Sequence, residues 1–461
     1  MFKRILIANR GEIAQRIITT CKRLGIETVA VYSEADRGAD YLGVADLTVC
    51  VGAGPAVDSY MNQRALLQAA QQYDCQALHP GYGFLAENAL FAARCEQQKT
   101  TFIGPRPKLL RLLGQKDLAR AEMEKRGVPT VPGSDGAVPS LTRALSEARK
   151  LGYPVMLKAI SGGGGRGMRV CNDDSDLRAH FDSARLEAEA TFGDPEVYLE
   201  RFVEGARHIE FQLLGDAYGN VIHLGERECT TQRHHQKLVE EAPSPGIDTD
   251  TRVSTGAALC KVFSSLGLAG LGTVEFLMNT SGELFFIEVN PRLQVEHPVT
   301  ELGVSLDLVE WQLRTAVGQF LDLPQIPSPL RGHTIECRIN AENPRANFAP
   351  SPGLITRFEV PREWRYELDG PVRLDTHVDE GYRVPTYYDS LLAKLIVRGR
   401  CRADAIELMR QSLERMHIEG VHTTLDLLKT IVHDPVFCSG QYSTLQMSRV
   451  IDEFASTPVG H

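Results

Sequence analysis

The sequence predicts a mixed α/β and α+β chain, and three observations carry that prediction. The first third alternates strand-like and helix-like stretches, which implies a parallel sheet with helices on its faces. The remainder is rich in strands. Two passages dense in Pro, Gly and Ser, "VPTVPGSDGAVPS" (residues 128–140) and "LPQIPSPLRGH" (residues 323–333), separate the parts.

In the first third, "RILIAN", "ETVAVYS", "QALHPG" and "TFIGP" are short apolar runs of strand length, while "GEIAQRIITTCKRLG", "QRALLQAAQQYDC" and "ALFAARCEQQ" space their apolar residues as helices do. Past the first Pro-rich passage come the strand "YPVMLKA", a glycine run, a long helix and the strand "EVYLERFV". Four more strands follow: "HIEFQLLGD", "VIHLGER", "GTVEFLM" and "ELFFIEVN". After the second passage "TIECRINAEN", "LITRFEV" and "SLLAKLIVRG" read as strands, with helices near the end and no internal repeat.

A length of 461 residues suffices for two or three domains with substantial cores. The composition, 43% hydrophobic and 24% charged, is that of an ordinary globular protein. A net charge of -9 argues against a nucleic-acid partner but leaves room for a local basic pocket. No apolar run reaches membrane-spanning length, and "MFKRILIANRG" lacks the features of a signal peptide, so a cytoplasmic protein without a membrane partner is expected. The ten cysteines show neither a C-x-x-C pair nor zinc spacing and are expected to be reduced, mostly buried thiols.

Four stretches suggest chemistry. "SGGGGRGM" (Ser161 to Met168) follows the strand that carries Lys158; it suits a loop whose backbone N–H groups cover phosphates, or a plain linker. It is not a G-x-x-x-x-G-K-[ST] loop, and the turn at Asn9 to Glu12 lacks G-x-G-x-x-G. Glu275 and Glu288 sit in apolar strands joined by the turn "NTSG", where a carboxylate requires a cation or ion-pair partner. With Asn290 as a third oxygen ligand, magnesium bridging nucleotide phosphates would fit, as would ion pairs to arginines. "CTTQRHHQKLVEEAPSPG" crowds Arg233, His234, His235 and Lys237 before Glu240 and Glu241, suiting either an anion site or a solvated basic loop. In "EVNPRLQVEHPVTE", an extended backbone would put Glu288, Asn290, Arg292, Gln294 and Glu296 on one face, either a solvated edge or a grip on a charged ligand.

Taken in order, "ANRGEIAQRI", "HPGYGFLAEN", "GGGGRGM", "QRHHQKLVEEAPSPG" and "EVNPRLQVEHPVTE" resemble the biotin carboxylase component of biotin-dependent carboxylases, an ATP-grasp family, from residue 1 to about 446. The resemblance implies an N-terminal Rossmann-like α/β domain (1–114), an ATP-grasp domain (115–330) with a mobile lid at about 131–203, a C-terminal α+β domain (331–446) and a tail (447–461). It implies that Lys116, Lys158, Gly163, Gly164, Gly165, Glu200, Phe202, Val203, His208, Gln232, His235 and Leu277 hold ATP. Glu275, Glu288 and Asn290 would hold magnesium or manganese. Lys237, Arg292, Gln294 and Val295 would hold bicarbonate, with Glu296 as base, and Tyr82 and Arg338 would face biotin. The implied reaction is ATP-dependent carboxylation of biotin through carboxyphosphate. Pro291 and His234 depart from the family's usual residues. No A-M-K-M or V-M-K-M biotinylation motif occurs, so biotin is expected on a separate carrier protein or domain, with a carboxyltransferase subunit as further partner and a homodimer as the assembly. Other readings are an ATP-grasp ligase that activates another carboxylate, or an inactive ATP-binding regulator; neither has use for the row from Arg292 to Glu296.

Overall fold

The computed structural model describes residues 1–160, 168–233, 236–324 and 330–457. The first unit is the parallel sheet expected from the alternation. Its strands β1 (Arg4–Ile7), β2 (Glu27–Ser33), β3 (Leu47–Gly52), β4 (Ala77–His79) and β5 (Thr101–Phe102) lie in the order β3-β2-β1-β4-β5. Alternate residues of β1 feed opposite cores: Ile5 and Ile7 meet Ile13, Ile17 and Ile18 of helix α1 (Gly11–Arg23), while Leu6 packs with Leu66 and Phe91 on the other face. The sequence reading passed over β3, a half-exposed edge strand whose residues lack an unbroken apolar run.

The second unit is a three-stranded antiparallel sheet, β7-β6-β8, formed by β6 (Val155–Ala159), β7 (Arg169–Cys171) and β8 (Val197–Arg201). Two helices, Leu141–Leu151 and Asp174–Phe192, close a small core of their own over it. The glycine run between β6 and β7, with Gly163, Gly164 and Gly165, lies outside the described residues.

The third unit is an eight-stranded antiparallel sheet. Strands β9 (Arg207–Gly215), β10 (Val221–Arg233), β11 (Gln236–Ala242), β12 (Gly270–Met278), β13 (Leu284–Asn290) and β14 (His333–Asn340) run in the order β13-β12-β9-β10-β11-β14, followed by Leu391–Gly399 and Val372–Thr376. This sheet runs on past residue 330. The helix Thr444–Ser456 carries ordered chain beyond residue 446 and buries Met447, Val450 and Ile451 in the core on that sheet.

Three expectations change. The segment from Glu288 to Glu296 is not one extended row: β13 ends at Asn290, Pro291 has no N–H for a ladder, and the chain turns before the helix His297–Val304, which has Pro298 in its first turn and Glu296 as N-cap. The basic stretch is not a loop but the two strands β10 and β11, with residues 234–235 between them outside the description. "LITRFEV" divides into the strands Gly353–Leu354 and Arg357–Glu359. Of the ten cysteines seven are buried and only Cys401 is exposed. No described helix is long and apolar enough to cross a membrane.

Candidate active site

Register builds the site. Glu288 on β13 lies opposite Glu275 on β12, Glu275 opposite Glu210 on β9, and Glu210 opposite Arg227 on β10, so four ionisable groups form one row across four strands. Cross-strand partners leave the same face of a sheet, and three carboxylates side by side require cations. Arg227, fully buried, donates Nε to Glu210 Oε1 at 2.5 Å and reaches Gln212 (2.7 Å), Thr300 (2.8 Å) and Thr273 (3.2 Å). Lys237 Nζ from β11 lies 2.6 Å from Glu210 Oε2, 3.3 Å from Glu275 Oε1 and 2.5 Å from Glu296 Oε1. Burial alone would lower its pKa, but Cys229 and the carboxylates of Glu210, Glu275 and Glu296 hold the Lys237 ammonium well above its usual range.

The segment after β13 turns back on this row. Arg292 donates to Gln294 Oε1 (2.9 Å) and Asn290 Oδ1 (3.0 Å) and pairs with Glu87 at 3.1 Å. Asn290 and Gln294 donate their amide N–H groups to Glu275 Oε1 at 2.8 and 3.2 Å. Glu296 also accepts from Arg338 Nη2 at 2.9 Å, and Arg338 Nε is 2.5 Å from Glu240 Oε1. Against the effect of burial, Lys237, Arg338 and Arg227 hold the Glu296 carboxyl well below the usual carboxylate range. The carbonyl of Val295 accepts from buried Lys394 Nζ at 2.9 Å; Lys394 also pairs with Glu12 (3.1 Å), which accepts from the Tyr82 hydroxyl. The polar groups expected on one strand face therefore converge through a turn, held by contacts two residues apart.

The residues expected to hold a nucleotide flank this row. Lys158 on β6 and Glu200 on β8 are paired, and Arg120 Nη1 donates to Glu200 at 2.9 Å. Phe202 and Val203 follow β8 directly, half-buried. His208 Nε2 is 2.9 Å from Glu275 Oε2, and His208 is the cross-strand partner of Leu277. Gln232 is buried opposite Lys237, and Lys116 pairs with Glu288 at 3.1 Å. His235 lies outside the described residues.

Three family models match in chain order: the biotin carboxylase N-terminal domain over residues 1–110, the ATP-binding domain of the carbamoyl-phosphate synthase L chain over 115–324, and the biotin carboxylase C-terminal domain over 336–449. The biotin carboxylase of a Nostoc species is 49% identical over 96% of this chain and 98% of its own length. Among solved structures, the biotin carboxylase domain dimer of 2-oxoglutarate carboxylase from Hydrogenobacter thermophilus, in complex with MgADP, ADP and bicarbonate, superposes with a TM-score of 0.93 at 45% identity, covering 98% of this chain and 99% of that one. The chain belongs to the biotin carboxylase family. As a biotin carboxylase it is a ligase that uses ATP and bicarbonate to carboxylate biotin.

Several residues of this biotin carboxylase escaped the sequence reading. Glu210 in "HIEFQLLGD" carries the signal that singled out Glu275, a carboxylate inside an apolar strand, and the same reasoning would have found it. Lys394, a charge inside the apolar strand "LLAKLIV", carries a signal of the same kind, whereas Glu12, Glu87 and Arg120 give none, because their partners lie far away in sequence. Hard oxygen donors suit a divalent cation of the magnesium class, and Glu275, Glu288 and Asn290 supply them on adjacent strands, with the Glu288 side chain about a third exposed (32%) and bound to Lys116. The set fits the metal. His208, Glu210 and Glu275 bring ligand atoms within 4.8 Å of one another on the buried side of the same row.

Proposed function

We propose that Glu296 is the base that deprotonates bicarbonate, that Lys237, Arg292, Gln294 and the backbone at Val295 hold this anion, and that Arg338 with Tyr82 faces the ureido ring of biotin. The observation that carries this reading is the meeting of Lys237 and Arg338 on the two oxygens of one buried carboxylate, Glu296. With two cations attached, Glu296 is a weak base. A bicarbonate ion that draws Lys237 toward itself removes one of them and strengthens the base where the proton must be taken. The bicarbonate oxygen then attacks the γ-phosphoryl group of ATP in line, ADP leaves, and carboxyphosphate forms. Lys237 and Arg292 offset the charge that develops. Held by Glu275, Glu288 and Asn290, magnesium or manganese would neutralise the phosphate oxygens. Carboxyphosphate releases CO2, the phosphate takes the ureido proton of biotin, and the Arg338 guanidinium steadies the charge on the enolate oxygen while the deprotonated ureido nitrogen attacks the CO2.

Lys116, Lys158, Glu200, Phe202, Val203, His208, Gln232, His235, Leu277 and the glycine run, Gly163 to Gly165, form the nucleotide site in this reading. The division at residues 114, 330 and 446, with a lid at about 131–203, belongs to the same proposal. The lid within it is supported by the separate core of the β7-β6-β8 sheet. Biotin arrives on a carrier protein or domain, a carboxyltransferase completes the enzyme, and the chain works as a cytoplasmic homodimer; the dimeric Hydrogenobacter structure supports the last point. The test is phosphate release by the isolated chain with ATP, magnesium and bicarbonate. Free biotin should raise it, and no increase at any magnesium-ATP concentration would overturn the reading.

A further inference from the structure

Behind Arg338 lie two carboxyl groups that the reaction above does not use. Glu240 on β11 and Glu336 on β14 are cross-strand partners, and both are fully buried. One oxygen of Glu240 accepts from Arg338 Nε; the other, and both oxygens of Glu336, have no hydrogen-bond partner among the described residues. Three unpartnered oxygens on neighbouring carboxylates would be costly twice over, through lost solvation and through mutual repulsion.

The charged groups around the pair do not relieve this. Arg338 leaves the same face of β14 and binds Glu240 and Glu296. From the next strand, Lys394 is engaged by Val295 and Glu12. Lys237 serves Glu210, Glu275 and Glu296. From the helix His297–Val304, packed against β14, His297 Nδ1 meets the Gln294 carbonyl, and Glu301 is held by Arg16 and Arg373. A single proton placed between Glu336 and Glu240 removes the mutual repulsion and pairs two of the three oxygens, because a carboxylic acid can donate where a carboxylate cannot.

We propose that Glu336 is kept protonated and donates its O–H to the free oxygen of Glu240, which leaves Glu240 a carboxylate aimed at Arg338 and makes Glu336 a positioning residue for the arginine that serves the biotin half of the reaction. The proposal rests on the role given to Arg338 above. Burial, and then the charge of Glu240, push the Glu336 carboxyl well above its usual range; Glu240 is raised by burial as well, so the two titrate as a pair that keeps one proton near neutral pH. An ionised Glu336 would compete for Arg338 and Lys394 and draw both away from the site.

The test uses the full chain with Glu336→Gln and Glu336→Leu. Infrared difference spectra at neutral pH should show the carbonyl stretch of a protonated carboxyl group in the native protein and lose it in both variants. The amide of Glu336→Gln can still donate to Glu240, so its carboxybiotin formed per phosphate released should stay near native. In the native enzyme coupling should fall at alkaline pH as Glu336 ionises, and in Glu336→Gln that fall should vanish. Glu336→Leu has no donor, and its coupling should fall about tenfold, the effect of one hydrogen bond to a charged group, with KM for ATP unchanged. The idea is overturned if the native protein lacks that band, if Glu336→Gln retains it, or if Glu336→Leu couples normally. The infrared result reads the proton itself, so it stands apart from the activity: an absence of biotin-dependent ATP cleavage in the native chain would sink the functional reading instead.

Discussion

At the scale of single residues, Glu296 and Arg338 touch each other at 2.9 Å, yet the proposed reaction uses them in different halves. Glu296→Ala should remove the base before carboxyphosphate forms, so biotin-dependent phosphate release and carboxybiotin both fall, by about 10²- to 10⁴-fold. Arg338→Ala leaves bicarbonate activation possible but deprives the enolate of its counter-charge. ATP cleavage should then survive with little carboxybiotin. Assaying phosphate and carboxybiotin in parallel decides the matter: full coupling in Arg338→Ala, or normal carboxylation in Glu296→Ala, shows the assigned role to be wrong. Glu288→Gln tests the metal set in the same way. It takes one charge from the ligand row while its neighbour Lys116 stays, and turnover should drop with a higher magnesium requirement. An unchanged magnesium dependence would remove Glu288 from the set.

At the scale of elements, the β12 and β13 hairpin places its carboxylates, and the turn after Asn290 places Arg292 and Gln294. The strands themselves were legible, since "GTVEFLM" and "ELFFIEVN" are apolar runs on either side of a turn. Their register was not legible, because it is fixed by pairing with β9 and by an irregularity between Glu275 and Phe276. Of the residues that the alternation from Glu288 to Glu296 singled out, Asn290, Arg292 and Gln294 do lie together, but through a turn rather than an extended strand. Pro291 and Pro298 stop the strand and start a helix, and side-chain bonds rather than period two bring Asn290, Arg292 and Gln294 together. Arg227 shows what such an element needs underneath. It ties β10 to β9, β12 and the helix His297–Val304. Arg227→Met leaves Glu210 with Lys237 as its one remaining cation among the described residues and should cost about 3–5 kcal/mol of stability, readable as a lower urea midpoint. A midpoint equal to the native one would mean that Arg227 is not a fastening of the sheet.

At the scale of the whole molecule, the eight-stranded sheet joins strands from both sides of residue 330, and a second buried carboxylate fastens its far layer. Sequence alone marked the Pro-rich passage there, but local pattern does not record that β11 and β14 pair across it. Glu241, on β11, lies 2.5 Å from His333 Nε2 of β14. It also accepts from Arg402 at 2.7 and 3.1 Å, and from the Tyr442 hydroxyl. Arg402 in turn donates to the carbonyls of Phe437 and Cys438, so one carboxylate holds sheet, helix and C-terminal segment together. Burial would raise its pKa, but hydrogen bonds and charge from His333 and Arg402 lower it to about 2. A folded value below the unfolded one, about 4.3, means that the contribution to stability is complete above about pH 5 and is lost as pH falls toward about 2. A shift of roughly two units corresponds to about 3 kcal/mol. Glu241→Gln should therefore be less stable than the native protein at pH 7 and should depend less on pH below about 4, so that the two curves of denaturation midpoint against pH converge on the acid side. Curves that stay parallel down to about pH 2 would show that Glu241 is not the group whose protonation loosens the C-terminal layer.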